Sequence, residues 1–372
     1  MQQKTNTPDI SGPPEKRRIA VALQGGGSHG AFTWGVLDRL LEEPSLDIVG
    51  ISGTSAGAMN AGFLADGLRR GGASEARLSL RHYWKEVGRI PGYGRLRSPG
   101  PQSTWRLDDH PAYLWADMLT RIWSPYQINP SNYHPLRELL QRIDFEGLRQ
   151  DASAARVFIC ATNVRTGLRR VFHNAELSAD VLLASACLPQ VYQAVQIGED
   201  FYWDGGYTGN PALAPLYLGT SASDVIVVGI NPIERTMVPQ TARSIIHRID
   251  EISFNATFML ELGAIAFVEH LINSADVQAP FRLLHVHGIG DKALGSFGAS
   301  SKMNNEWRFL QHLHEIGYRA AERWLAENLA AVGNRSTVDL SGLVPHKDGL
   351  VTGPSFIKQK QHSGSRAASS IA

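Results

Sequence analysis

The feature that most constrains this chain is the run Ile48-Val49-Gly50-Ile51-Ser52-Gly53-Thr54-Ser55-Ala56-Gly57-Ala58-Met59-Asn60. Its left half is apolar in the manner of a buried parallel strand. Its right half, with Ala61, Phe63 and Leu64 beyond, reads as a helix. Between them lies an elbow made of Gly53, Thr54, Ser55, Ala56 and Gly57. A serine at such a strand-to-helix turn is held in a strained conformation that lifts its hydroxyl clear of the sheet. The glycines are required because the turn leaves no room for Cβ atoms beside it. The following helix brings free N–H groups close to the serine, where they favour developing negative charge. The same short pattern also occurs as a Gly/Ser-rich βα turn without chemistry, so its meaning depends on what the rest of the chain supplies.

What precedes the elbow has the same form. Arg18–Gln24 reads as a strand, Gly25-Gly26-Gly27-Ser28-His29-Gly30 as a turn, and Ala31–Glu42 as a helix that ends before Pro44. Strand, turn, helix, strand, turn, helix is a βαβα opening, which implies a parallel sheet with right-handed crossovers. The predicted fold class is α/β, a three-layer α/β/α arrangement with a mainly parallel central sheet. Further strands are predicted at Arg156–Val164, Asp224–Ile230 and Phe281–Val286, a short one at Arg169–Phe172, and a hairpin around Gly198. Helices are predicted over residues 62–87 with a break at Gly71-Gly72, and over 111–122, 136–149, 178–187, 242–273 and 304–331.

Residues 88–135 break this regularity with glycines and prolines, and carry Trp105, Tyr113, Trp115, Trp123, Tyr126 and Tyr133. The segment is either a lid or acyl-binding cover, or an ordinary surface excursion whose aromatics pack on the domain. Residues 1–16 and 333–372 read as disordered tails around one domain over residues 17–332.

Lys and Arg number 36 against 35 Asp and Glu, a formal charge of +1, which argues against a nucleic-acid binder working by bulk charge. The two cysteines, Cys160 and Cys187, sit in apolar surroundings with no metal-ligand spacing, so buried free thiols and no metal or other cofactor are expected. The N-terminus lacks the apolar stretch of a secretory signal, and no run approaches 18 consecutive apolar residues. A cytoplasmic location is therefore expected, with peripheral membrane contact through the aromatics of the excursion. Oligomeric state is not legible.

A serine nucleophile needs a base within hydrogen-bond reach and preorganised donors for the oxyanion. The glycine turn can supply the donors through its backbone. For the base there are 13 histidines, of which His285 and His287 on a late strand and His29 in the glycine turn are candidates. Asp204, leaving a strand into Gly205-Gly206, is a better one. In isolation it could equally be an Asx-turn residue.

Taken in order, Gly25-Gly26-Gly27-Ser28-His29-Gly30, Gly53-Thr54-Ser55-Ala56-Gly57 and Asp204-Gly205-Gly206 resemble the three motifs of the patatin-like phospholipase family, over about residues 18–230. Ala184-Ser185-Ala186-Cys187-Leu188-Pro189 resembles the family's small-residue helix leading to a proline. The resemblance implies a lipid acyl hydrolase, of phospholipase A or lysophospholipase type, with Ser55 as nucleophile and Asp204 as base in a dyad without histidine. It also implies an oxyanion hole at Gly25, Gly26, Gly27, Ser28, His29 and Gly30. The substrate would be a phospholipid or another acyl ester. The family usually carries Arg or Lys where this chain has His29, whose protonation near neutral pH would restore a positive charge there. Two other readings remain at this point. One is a Rossmann-type oxidoreductase using Gly25-x-Gly27-x-x-Gly30 with Asp47 about twenty residues on. The other is a catalytically inactive lipid-binding relative.

Overall fold

The computed structural model describes residues 16–91, 105–108, 110–235, 238–275 and 284–343. The expected N-terminal tail up to residue 15, residues 92–104 of the excursion, and the C-terminal tail beyond 343 lie outside the described residues.

Eight strands form one sheet: β1 Arg17–Leu23, β2 Leu46–Gly53, β3 Arg156–Asn163, β4 Arg169–His173, β5 Val195–Ile197, β6 Asp200–Asp204, β7 Asp224–Val228 and β8 His285–Ile289. The order is β5-β6-β3-β2-β1-β7-β8, with β4 paired to β3. From β3 to β8 the neighbours run parallel, while β4, β6 and β5 add antiparallel pairings at one side. The helices are α1 Gly30–Leu40, α2 Ala56–Val87, α3 Pro111–Ile122, α4 Pro125–Ile128, α5 Leu136–Leu140, α6 Phe145–Gln150, α7 Ala179–Ser185, α8 Ala214–Gly219, α9 Ala242–Ala275 and α10 Trp307–Asn328.

Period-two alternation along the central strands assigns their side chains to two cores. Ile19, Val21 and Leu23 of β1 face a large core shared with α1, α2, α7 and α10. Ala20 and Ala22 face a smaller core built with Leu216 of α8 and with Phe258, Leu262 and Ala266 of α9. Strand β7 divides the same way, Ile226 and Val228 to the first core, Val225 and Val227 to the second. The result is a mixed, mostly parallel sheet with helices on both faces, the three-layer α/β/α arrangement.

Several local expectations change. The single helix predicted over residues 136–149 is two, because Asp144 caps a new helix through Gly147 N–H. The last strand runs His285–Ile289; residues 281–283 of the expected strand lie outside the described residues. Residues 333–343, expected in the tail, pack onto the sheet: Val338, Leu340 and Leu343 are buried in the second core, and Thr337 N–H donates to Val286 O. Among the described residues, Ala242–Ile272 of α9 is long and apolar enough by length and composition to cross a membrane, although Phe258, Leu262 and Ala266 commit one of its faces to the domain.

Helices α1 and α10 touch backbone to backbone. A Cβ on Gly35 would lie 2.0 Å from His314 O, and one on Gly317 would lie 2.0 Å from Phe32 O. Gly35→Ala or Gly317→Ala should each cost about 1–3 kcal/mol in urea unfolding. The double substitution should cost less than the sum, since both separate the same pair of helices. Variants as stable as the parent would show that the helices part freely.

Candidate active site

The site forms where the carboxyl ends of β1, β2 and β7 meet, beside the point at which successive connections leave in opposite directions. Strand β2 ends at Gly53, α2 starts at Ala56, and Ser55 between them has φ 55° and ψ −122°. A non-glycine residue with this backbone is strained and persists only because its surroundings hold it. Those surroundings are visible. Ser55 N–H donates to Ser185 Oγ at 3.0 Å, and Thr54 Oγ1 donates to Gly209 O at 2.6 Å. Ser52 Oγ donates to Ala212 O at 2.6 Å. A Cβ on Gly57 would stand 2.1 Å from Leu23 O, and one on Gly25 would stand 2.6 Å from Ser55 Cβ. The elbow and the glycine turn therefore approach more closely than a side chain at Gly25 or Gly57 would allow.

Asp204 is the last residue of β6, its backbone paired with Ala161 and its N–H donated to Cys187 O at 2.8 Å. It is fully buried. Its Oδ1 accepts from Gly206 N–H at 2.7 Å, while Oδ2 has no hydrogen-bond partner among the described residues. Burial pushes this carboxyl up to about 7, opposed by the Gly206 N–H and by the Ser55 hydroxyl, which is near enough to stabilise the anion. The Ser55 contact falls short of a well-formed hydrogen bond, consistent with the orphaned Oδ2. Gly205 permits the approach, for a Cβ there would be 2.1 Å from Cys160 O.

The six residues of the glycine turn are not equivalent. Gly25 N–H is taken by Asn210 Oδ1 at 2.7 Å, His29 N–H donates to Gly26 O at 3.3 Å, and Gly30 N–H is used within the turn. Gly26, Gly27 and Ser28 retain N–H groups without partners among the described residues. They open the helical segment that continues as α1, so its dipole favours an anion there.

Two expectations about histidine are corrected. His29 does not bring a titratable charge to the turn. Its ring is buried against Phe297 and Phe309, its Nε2 meets Ser301 Oγ at 2.7 Å, and burial followed by Lys302 and Arg235 lowers its pKa to about 3. It is neutral across the physiological range. His287 bonds Asp224 at 2.9 Å in the interior of β7 and β8, and His285 pairs with Asp224 at the strand beginnings. Strand β8 is three places from β2, roughly 14 Å at the usual strand spacing. Neither histidine can serve Ser55 from there.

Supporting residues that sequence reasoning missed are Ser185, Asn210, Gln24 and Asn231. Gln24 Oε1 accepts from Ile230 N–H at 2.9 Å, and Asn231 Nδ2 donates to Gly25 O at 2.7 Å, which ties β7 to the turn. Asn210 follows the Asp-Gly-Gly motif closely, and Ser185 lies in the small-residue helix, so both had a local signal. Asn231 had none.

A sequence profile described as patatin-like phospholipase matches residues 21–217, more than half of the chain. The chain belongs to the patatin-like phospholipase family. Members of this family are lipid acyl hydrolases. No curated protein matches the chain. Among solved structures, VipD from Legionella pneumophila is similar at 12% identity with a TM-score of 0.34, covering 81% of this chain and 67% of that one. Membership displaces the oxidoreductase reading, and the geometry agrees. Asp47 pairs with Arg18 at the beginning of β1 and β2, the opposite end of the sheet from the glycine turn.

For this patatin-like chain the buried Asp204 makes a stability prediction. A folded-state pKa raised from 3.8 to about 7 contributes stability present below the unfolded value and lost as pH rises through the folded one. At pH 8 the ionised carboxylate destabilises the fold by about 4 kcal/mol, and at pH 5.5 by about 2. Asp204→Asn removes that cost while keeping an acceptor for Gly206 N–H. It should gain about twice as much stability over the parent at pH 8 as at pH 5.5 in urea titrations. An equal gain at both pH values would place the carboxyl's pKa in the ordinary range.

Proposed function

We propose that the protein is a serine-dependent lipid acyl hydrolase, a phospholipase A or lysophospholipase-like esterase of lipid catabolism or remodelling. The observation that carries this reading is the convergence of a strained Ser55, a buried Asp204 beside it, and a turn with unpartnered N–H groups in contact with the serine. Ser55 Oγ bonds to the acyl carbonyl carbon as its proton passes to Asp204. The carbonyl oxygen, now an anion, is met by N–H groups of Gly26, Gly27 and Ser28, each such donor being worth about 3–4 kcal/mol in the transition state. Asp204 returns the proton to the departing alkoxide; in the second half it takes a proton from the water that attacks the acyl carbonyl and hands it to Ser55 Oγ as the acid departs.

We infer a cytoplasmic enzyme that draws its substrate from a membrane surface. The aromatics of the excursion do not all serve it: Trp105 is packed on Phe309 and His312, and Tyr113 is buried beneath Arg243. Trp115 is 62% exposed, and Ile122, Trp123, Tyr126 and Tyr133 are exposed too. Helix α3 is tied to α9 by Asp117 and Arg243 at 3.4 Å. Along α9, Ile245, Ile249, Ile252, Leu260, Phe267 and Leu271 form one exposed apolar stripe. Phe254 of the same helix packs edge-on against Tyr207 of the catalytic segment, with ring centroids 5.0 Å apart. An exposed apolar stripe on α9, beside a segment that exposes Trp and Tyr, suits a lipid interface.

Ser55→Ala and Asp204→Asn should each lower kcat about 10⁴-fold or more on a phospholipid, and the losses should not add. A fluorophosphonate should label Ser55. Turnover should rise with pH through about 7, because only the ionised Asp204 accepts the proton. Persistent hydrolysis by Ser55→Ala, or labelling at a different serine, defeats the dyad. A folded parent with neither turnover nor labelling would leave only a lipid-binding relative.

Liposome co-sedimentation tests the surface. Trp115→Ala with Leu260→Ser should reduce binding at least about fivefold while the melting temperature holds. Unchanged sedimentation, or a shift from dimer to monomer in light scattering, would assign the face to another role.

A further inference from the structure

A lysine distant in sequence stands against the glycine turn. Lys302 lies in a short 3₁₀ turn, Ala299–Met303, that covers the turn from one side. The packing is close: a Cβ on Gly27 would lie 2.4 Å from Lys302 O and 3.5 Å from Lys302 Cβ. The preceding residue, Ser301, is the partner of His29 Nε2. One short segment thus holds the neutral imidazole in place and sets an amine beside it.

The amine is poorly neutralised. Lys302 Nζ donates to Asn231 Oδ1 at 2.9 Å, a neutral acceptor, and Asn231 Nδ2 in turn holds Gly25 O at 2.7 Å. Among the described residues it makes no ion pair within bonding distance. The nearby carboxylate of Glu251 is already engaged by Arg235 at 2.6 Å and by Arg248 at 3.2 Å. Burial lowers the amine's pKa, while Glu251 and Asp250 act to keep it protonated. A desolvated ammonium without a bonded carboxylate is costly to the fold and is retained where charge is needed. Of its three N–H donors, Asn231 takes one.

We propose that Lys302 is a positioning residue that, through Asn231, braces the glycine turn and supplies the positive charge against which the oxyanion develops. The inference rests on the hydrolase reading of Ser55 and Asp204. It adds that this charge comes from the segment before α10, over 270 residues after the turn it serves. The cation acts on charge that appears only in the transition state, so its effect falls on kcat rather than KM.

The test compares the full chain with Lys302→Met, Lys302→Arg and Ser55→Ala on a neutral short-chain ester and on an anionic phospholipid. The expected result is a kcat reduced about 10- to 100-fold in Lys302→Met on both substrates, with KM within about threefold. Lys302→Arg should keep at least about a third of the parent kcat, clearly above Lys302→Met. The melting temperature of Lys302→Met should equal or exceed the parent's, because an apolar side chain removes a buried charge. A structural role would lower stability and activity together. A Lys302→Met variant with parental kcat, or one altered only in KM for the anionic lipid, overturns the inference while the Ser55→Ala loss still supports the dyad. Hydrolysis surviving in Ser55→Ala overturns both.

Discussion

Everything at the site depends on two backbones touching where side chains would ordinarily keep them apart. The turn after β1 and the elbow after β2 meet with no space for a Cβ at Gly25 or Gly57. Parallel strands hold their connections about 4.8 Å apart at the sheet, but most side chains would push those connections outward. Glycine lets the turn fold back over the serine, and the α2 N-terminus then lies within reach of the same point. The small residues of the motifs are thus a statement about distance before they are a statement about chemistry.

Against this close contact the fold sets a group it would not choose for stability. Asp204 lies in the sheet interior with one oxygen satisfied and the other orphaned. The desolvation that raises its pKa also makes it a stronger base than an exposed carboxylate. The neighbouring ionisable groups are silent: His29 is held neutral by burial, and Cys160 and Cys187 are pushed up to about 12. The site's proton chemistry is therefore concentrated on one carboxyl.

How much of this was legible follows from how local each determinant is. The βαβα opening, the elbow and Asp204-Gly205-Gly206 are continuous stretches whose periodicity and glycines speak for themselves, and the structure places all three together. His29 misled because its environment is made by Phe297, Phe309 and Ser301, far along the chain. A motif position shows which residue is present but not what buries it. The same limit hid Asn231 and Lys302. The break before α6 lay in an Asp cap inside an otherwise helical pattern, and residues 338–343 looked like tail because only the sheet face they cover explains their apolar spacing. The contact of Phe254 on α9 with Tyr207 beside Asp204 is likewise long-range and had no local signal.

The segment that follows Asp204 is bonded to its neighbours largely through its own backbone. Gly209 O, Asn210 O and Ala212 O accept bonds from the side chains of Thr54, Gln24 and Ser52, while Glu261 receives the N–H groups of Leu213 and Ala214. The segment contributes peptide groups, which every residue type offers, and the strands and α9 contribute the particular side chains. Two side chains of the stretch take part as well, Asn210 holding Gly25 N–H and Thr208 Oγ1 meeting Thr162 Oγ1 at 2.9 Å, and Gly205 and Gly209 leave no room for a Cβ. The hydroxyls of Ser52 and Thr54 supply two of the bonds that hold it. The place of Asp204 is therefore held by side chains of the same strand and elbow that carry Ser55, so one set of bonds positions both groups.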